Sequence, residues 1–130
     1  MFNSIIITDD SKTARMIIRR CLKIAGYHES SFMEANDGQE ALEIAKKEQV
    51  DLMVIDLNMP NMDGRSLLKR VKGSPKLNHI PVLVISSLVS EAKAKELKDL
   101  GAFATLSKPV SPADLAKVLQ EVATEDTWGM

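Results

Sequence analysis

Residues 52–64 read LMVIDLNMPNMDG, and this stretch decides how the chain folds. Its first four residues form an apolar run typical of a buried strand, and Asp56 ends that run. Met59-Pro60 and Asp63-Gly64 then favour a turn, because proline restricts φ and glycine accepts positive φ. A buried strand that ends at an aspartate delivers its carboxylate to the carboxyl edge of a sheet, where open α/β folds bind ligands. We therefore expect Asp56 to be chemically active.

Four more strand-like runs alternate with helical patterns along the chain. The runs are residues 4–8, 31–35, 81–85 and 103–107, and the helical patterns cover about 12–25, 38–48, 65–71, 91–100 and 112–122. Near-continuous apolar strands that alternate with helices predict an α/β fold, with a five-stranded parallel sheet covered by helices on both faces. The mixed run at 31–35 is typical of an edge strand. We expect one domain over residues 1–124 and a short polar tail, which frays, over 125–130.

Composition limits the class of protein. The chain has 130 residues, 45% hydrophobic and 27% charged, and its net charge of -1 gives no overall attraction to nucleic acid or to an anionic membrane. Cys21 is the only cysteine, which rules out an intrachain disulfide and fits a reducing compartment. The apolar opening stops at Asp9-Asp10, too early for a signal peptide or a membrane span. We expect a cytoplasmic protein without membrane insertion.

Two of the helical patterns carry specific predictions. In the first helix, one face is apolar and is expected to enter the core, while the other face is basic and is expected to be solvated. The apolar face consists of Ala14, Ile17, Ile18, Cys21, Leu22 and Ala25, and the basic face of Lys12, Arg15, Arg19, Arg20 and Lys23. The helix at 91–100 has only a thin apolar stripe, so we expect it to pack weakly and to shift at low energetic cost.

Four of the five predicted strands end in a residue with usable chemistry. Asp9-Asp10 follow the first strand, Asp56 the third, Ser86 the fourth and Lys108 the fifth. The carboxyl ends of parallel strands share one edge of a sheet, so these side chains are expected to meet. Taken singly, each has an ordinary explanation: Asp9-Asp10 as a helix cap, Ser86 as a turn residue and Lys108 as a solvated charge. Their joint placement favours a functional site.

Clustered carboxylates repel one another unless a cation lies among them, and hard oxygen ligands suit Mg²⁺. The expected ligands are Asp10, Asp56 and the backbone carbonyl of Asn58, with Asp9 binding directly or through water. A carboxylate can also act as a nucleophile toward phosphorus and form an acyl phosphate, a chemistry open to Asp56. Lys108 would supply a charge for a phosphoryl oxygen and Ser86 a hydroxyl donor.

In these motifs the sequence resembles the receiver domains of two-component response regulators, of the single-domain CheY-like type. The motifs are Asp9-Asp10-Ser11, the stretch from Asp56 to Gly64, Ser86-Ser87, and Lys108-Pro109 after Gly101-Ala102. The resemblance covers essentially the whole chain. It implies strand order 2-1-3-4-5, Mg²⁺-dependent phosphorylation of Asp56 by a phosphohistidine on a sensor histidine kinase or a phosphotransfer protein, and a cis peptide bond at Lys108–Pro109.

The sequence departs from the receiver pattern at two positions. Many receivers carry an aromatic residue three positions before the lysine, whose ring turns inward on activation. Thr105 stands there, so the aromatic half of the usual switch is missing, and the switch positions are Ser86 and Thr105. Phe103 lies two positions earlier on the same side of the strand and is not assumed to substitute. Leu88, two residues after Ser86, cannot orient a hydrolytic water, so we expect slow or ordinary self-dephosphorylation.

Other functions remain open at this stage. The chain could be a phosphate sink or a phosphorelay intermediate rather than a switch of the chemotaxis type. An aspartyl-phosphate hydrolase usually has a second carboxylate two residues after its nucleophile, where this chain has Asn58. A flavodoxin-like electron carrier needs a Ser/Thr/Gly-rich loop after its first strand, where this chain has Asp9-Asp10. Few residues follow Val122, so we expect no direct DNA binding and an output through contacts with an unidentified protein target.

Overall fold

The computed structural model describes the backbone of residues 2–87 and 89–128, and the side chains of this part up to residue 122. Five strands alternate with five α-helices. The strands are β1 (Ser4–Thr8), β2 (Ser31–Ala35), β3 (Leu52–Ile55), β4 (Val82–Ser86) and β5 (Ala104–Ser107). The helices are α1 (Lys12–Leu22), α2 (Gly38–Lys47), α3 (Gly64–Gly73), α4 (Glu91–Asp99) and α5 (Pro112–Trp128), and a π-helical turn, Lys23–Tyr27, continues α1.

All strand pairs in the sheet are parallel, and the strand order is β2-β1-β3-β4-β5. The predicted fold class and strand order are confirmed, and the mixed strand β2 does lie at an edge. In the register of the central strands, Thr8 pairs with Ile55 and Ile55 pairs with Val84. Because these pairs are level, Asp9 and Asp56, which follow β1 and β3, emerge side by side at the carboxyl edge, and β4 runs two residues past Val84 to end at Ser86.

The strands separate two hydrophobic clusters, because successive side chains point to opposite faces of the sheet. In β1, Ile6 faces one cluster, whereas Ile5 and Ile7 face the other. The first cluster packs against α2, α3 and α4, and the second against α1 and α5. Every residue of β3 is buried, as a central strand covered on both faces requires.

Two residues of α1 do not follow the predicted faces. Arg15 was expected in solvent but is 8% exposed, because its guanidinium forms hydrogen bonds inside the fold. Ile17 was expected in the core but is 45% exposed, since it lies at the border of the buried stripe. Cys21 is buried as expected, and burial raises the pKa of its thiol.

The helix ends differ from the sequence pattern in two places. The helical backbone after β1 passes into the π-helical turn, and Gly26 within it has a φ of 117°, which suits a glycine near a helix end. Helix α5 continues to Trp128, past the helix end predicted at about residue 122. Within α4, all of which is described, only Leu97 is buried, in line with its thin apolar stripe. No helix in the described part of the chain has the length and apolarity needed to span a membrane.

Candidate phosphoacceptor site

Three carboxylates meet at the carboxyl edge of the sheet. Asp9 and Asp10 follow β1 and Asp56 follows β3, and the backbone N–H of Asp56 donates to the carbonyl oxygen of Thr8 at 3.0 Å. One oxygen from each carboxylate lies within 4.8 Å of the other two. Asp9 and Asp56 are buried, whereas Asp10 is exposed. The cluster therefore opens to solvent on the side of Asp10.

Lys108, which follows β5, approaches the cluster from the other side of Asp56. Its Nζ lies 2.9 Å from Oδ2 of Asp9 and 3.5 Å from Oδ1 of Asp56. Its backbone N–H donates to the carbonyl oxygen of Ser86 at 2.8 Å, and the Lys108–Pro109 peptide bond is cis. Burial alone would lower the pKa of Lys108, but the hydrogen bond to Asp9 and the charge of Asp56 together raise it. The amine is thus held as a cation between two buried carboxylates.

Burial and neighbouring charges shift the pKa of Asp56 in opposing directions. Burial raises the pKa of this carboxyl and the charge of Asp9 raises it further, while Lys108 acts in the opposite direction without cancelling the shift. One lysine therefore does not offset the two buried carboxylates. The donor set fits a hard divalent cation, since one oxygen from each of three carboxylates lies within 4.8 Å of the others, and Mg²⁺ binds few protein oxygens while keeping several waters.

The remaining predicted site residues lie around this cluster. Ser86 is buried at the end of β4, the neighbour of β3 in the sheet. Asn58 is exposed, two residues after Asp56. Thr105 is half-buried within β5 and pairs with Val84, so it lies short of the strand end. Leu88 lies outside the described residues.

The helix-cap and turn roles considered above are taken by three residues: Ser11, Asp9 and Asp63. Ser11 caps α1, with its hydroxyl accepting from the N–H of Ala14 at 3.1 Å. Asp9 accepts from the N–H of Ser11 at 2.9 Å through Oδ1, while its Oδ2 faces Lys108. Asp63, expected to be a turn residue, caps α3 by accepting from the N–H of Ser66 at 2.8 Å. Ser11, rather than Asp9 or Asp10, therefore provides the side-chain cap of α1.

Sequence reasoning missed Arg15 as a residue that supports the site. Its Nη1 donates to the carbonyl oxygen of Asp9 at 2.7 Å and to Oδ1 of Asn36 at 2.9 Å, and its Nε pairs with Glu34 at 2.8 Å. The turn between β2 and α2 is therefore tied to the Asp9-Asp10 loop. The sequence does not indicate these contacts, because Arg15 is one of several basic residues on its helix and its partners come from β2 and from the turn after β2.

An apolar groove of about 360 Å³ opens beside the site. Ile17 from α1 lies in its wall together with Pro109 and Val110, and Lys108 is shared between the groove and the carboxylate cluster. Ile17, which the helical pattern placed in the core, is therefore exposed in a groove next to the site.

The family model of the response regulator receiver domain matches residues 5–120. The chain is 35% identical over 118 residues to the chemotaxis protein CheY-3 of Vibrio cholerae, covering 91% of this chain and 89% of that protein. It is 34% identical over 119 residues to the two-component response regulator ORR3 of Oryza sativa, covering 91% and 88%. The crystallised chemotaxis response regulator CheY4 of Vibrio cholerae superposes with a TM-score of 0.81 at 34% identity, covering 94% of this chain and 99% of that one.

The chain belongs to the response regulator receiver domain family. Receiver domains of this family are signalling switches rather than classical enzymes. Membership in this family therefore argues against two of the alternative functions, a flavodoxin-like electron carrier and a small-substrate hydrolase.

Proposed function

We propose that this chain is a stand-alone phosphoacceptor switch that receives a phosphoryl group on Asp56 from a sensor histidine kinase or a phosphotransfer protein. The observation that carries the proposal is the joint placement of Asp56, two further carboxylates and the Lys108 ammonium at one sheet edge. A phosphoryl group needs both a nucleophile and positive charge for its oxygens.

In the proposed transfer, an oxygen of the Asp56 carboxylate attacks the phosphorus of the donor's phosphohistidine. A bond forms between that oxygen and phosphorus while the phosphorus–nitrogen bond breaks. The imidazole leaves with the electron pair and takes up a proton from solvent. Lys108, 3.5 Å from Asp56 before transfer, would contact a phosphoryl oxygen, and the Ser86 hydroxyl would donate to another.

Mg²⁺ would be held by the carboxylates of Asp10 and Asp56 and the backbone carbonyl of Asn58, with Asp9 binding directly or through water. Its chemical contribution when bound is to offset the negative charge shared by the carboxylates and the phosphoryl oxygens. The open side of the cluster at Asp10 leaves room for metal-bound waters and for the incoming phosphoryl group.

The output would pass through protein contacts rather than DNA. Phosphorylation changes the charge at Asp56, and Ser86 and Thr105 lie on the two strands through which this change would reach α4. That helix buries only Leu97 among its described residues, so moving it would break few apolar contacts. Relatives named as chemotaxis proteins, CheY-3 of Vibrio cholerae and CheY of Pseudomonas aeruginosa, support a chemotaxis pathway for this chain. We propose that it acts in the cytoplasm.

The test is incorporation of phosphate from a small phosphodonor such as acetyl phosphate, with and without Mg²⁺. The wild-type protein should be labelled only with Mg²⁺, and Asp56→Asn should not be labelled. Asp63→Asn is the matched control, because Asp63 also follows β3 but caps α3 outside the cluster; it should be labelled like the wild type. Labelling of Asp56→Asn at the wild-type level would refute the assignment.

A further inference from the structure

The turn Asn36-Asp37-Gly38, between β2 and α2, touches both loops that carry the proposed metal ligands, although it contributes nothing to the carboxylate cluster. On one side, Arg15 links Asn36 to the backbone carbonyl of Asp9. The buried guanidinium of Arg15 thus binds both the backbone carbonyl of Asp9 and the turn.

On the other side, the turn forms hydrogen bonds with the loop after β3. Nδ2 of Asn61 donates to Oδ2 of Asp37 at 2.7 Å, and the N–H of Gly38 donates to the carbonyl oxygen of Met62 at 3.1 Å. The fit is close, because a Cβ at Gly38 would lie 2.8 Å from that carbonyl oxygen. Asn61 has a φ of 64°, a conformation that few residues other than glycine adopt. The tip of the loop is therefore held in a specific conformation against the turn.

Asp37 serves two purposes with its two oxygens. Oδ1 caps α2 by accepting from the N–H of Glu40 at 2.9 Å, and Oδ2 accepts from Asn61. These bonds, from Asn61 first and Glu40 second, lower the pKa of Asp37, so the carboxylate stays charged. At its base, the loop is closed by the N–H of Gly64, which donates to the carbonyl oxygen of Leu57 at 2.9 Å. Asn58 lies between these two points of attachment.

We propose that Asp37 and Asn61 are positioning residues that set the affinity of the site for Mg²⁺, by holding the loop that carries Asn58 against the turn that also holds Asp9. The inference rests on the proposed function. Neither side chain belongs to the carboxylate cluster, so the effect would come from the placement of ligands. Groups that orient metal ligands typically change affinity by about 10- to 100-fold when removed.

Because Asn61 donates and Asp37 accepts, exchanging the two residue types allows a rescue experiment. Asp37→Asn keeps a side-chain oxygen for the N–H of Glu40, so α2 remains capped, but it replaces the charged acceptor of the Asn61 amide with a neutral amide group. Asn61→Asp keeps a residue type that tolerates positive φ, but places a second carboxylate against Asp37. The double variant restores one amide–carboxylate pair with the donor and acceptor exchanged. Asn61→Gly removes the bond without adding charge.

The readout is the Mg²⁺ dissociation constant of each full-length protein, measured by isothermal titration calorimetry, with the urea unfolding midpoint measured in parallel without metal. We expect about tenfold weaker binding in each single variant and in Asn61→Gly, and recovery to within about twofold of wild type in the double variant. Equal affinity in all the proteins, or a double variant weaker than both single ones, would overturn the inference. A wild-type protein that binds no Mg²⁺ would instead refute the metal site of the proposed function, and the inference with it.

Discussion

Gly64, the first residue of α3, lies directly against the backbone of Asp56. A Cβ at position 64 would overlap the carbonyl oxygen of Asp56 and would lie 2.9 Å from Cα of Leu57. The Gly64 N–H meanwhile donates to the carbonyl oxygen of Leu57. Helix α3 therefore begins in contact with the strand end that carries the proposed phosphoacceptor, and only a residue without a side chain fits there.

Gly64→Ala is expected to destabilise the protein by about 1–3 kcal/mol, because the added methyl group must displace backbone rather than a flexible side chain. The measurement is urea unfolding monitored by circular dichroism. Gly73→Ala is the matched control at the other end of α3, where a Cβ would meet no atom within 4 Å. The control should be neutral or slightly stabilising, since alanine reduces the entropy of the unfolded chain. Equal unfolding midpoints for the two variants would contradict this account.

Arg15→Met is expected to lower the free energy of unfolding by about 1–3 kcal/mol, because it leaves the carbonyl oxygen of Asp9 and the side chain of Asn36 without their donor. Arg20→Met is the comparison on the same helix, since Arg20 is exposed and has no ion pair among the described residues. Thermal unfolding of both variants measures the difference. A loss for Arg20→Met as large as that for Arg15→Met would show that charge on α1, rather than the buried contacts, matters.

Asp63→Ala is expected to cost about 1 kcal/mol of stability at pH 7, because α3 loses its N-terminal cap. The hydrogen bond from the N–H of Ser66 lowers the pKa of Asp63 in the folded state. A lowered folded pKa gives stability that is present above the unfolded pKa, about 3.9, and is lost as pH falls through the folded value. The difference between wild type and variant should therefore shrink toward low pH. Urea unfolding at a series of pH values checks this, and a difference that grows on acidification would contradict it.

Ile17→Ser is expected to slow phosphotransfer from a histidine kinase about tenfold, equivalent to ~1.4 kcal/mol, while leaving labelling by acetyl phosphate unchanged. The reason is that the groove containing Ile17 shares Lys108 with the site, so a protein that brings a phosphohistidine to Asp56 must pass over it. Donor domains of histidine kinases from the same genome, autophosphorylated with labelled ATP, would be screened and the fastest donor used.

Ile24→Ser provides the control for that experiment. Ile24 is more exposed than Ile17, at 66% against 45%, but does not line the groove. Its substitution should leave both reactions unchanged. An equal slowing by the two substitutions would show that the groove has no special role in donor binding.

The order of strands and helices could be read from the sequence because each element carries its own periodic pattern. The buried run before Asp56 and the proline and glycine turns after it both act over a few neighbouring residues. Predictions that depended on such local rules, including the burial of Cys21 and the weak packing of α4, are confirmed. The end of α5 was less well predicted, since the helical backbone continues to Trp128 rather than ending near residue 122.

Predictions failed where a side chain takes its partners from distant segments. Arg15 looks like the other basic residues of its helix, yet it is buried, because Glu34 and Asn36 come from β2 and the following turn. Asp37 and Asn61 are both typical turn residues, and their hydrogen bond joins positions 24 apart in the chain. Nothing in the spacing of either residue indicates the other.

The sequence by itself determined that a carboxylate would stand at the end of a buried strand, with other polar residues at the ends of its neighbours, because strand periodicity and turn chemistry are local properties. The tertiary structure decided how those groups interact: that Lys108 lies between Asp9 and Asp56, that burial and Asp9 raise the pKa of Asp56, and that the turn after β2 holds two loops of the site. These interactions depend on the level register of the parallel strands, which brings together residues up to 99 positions apart.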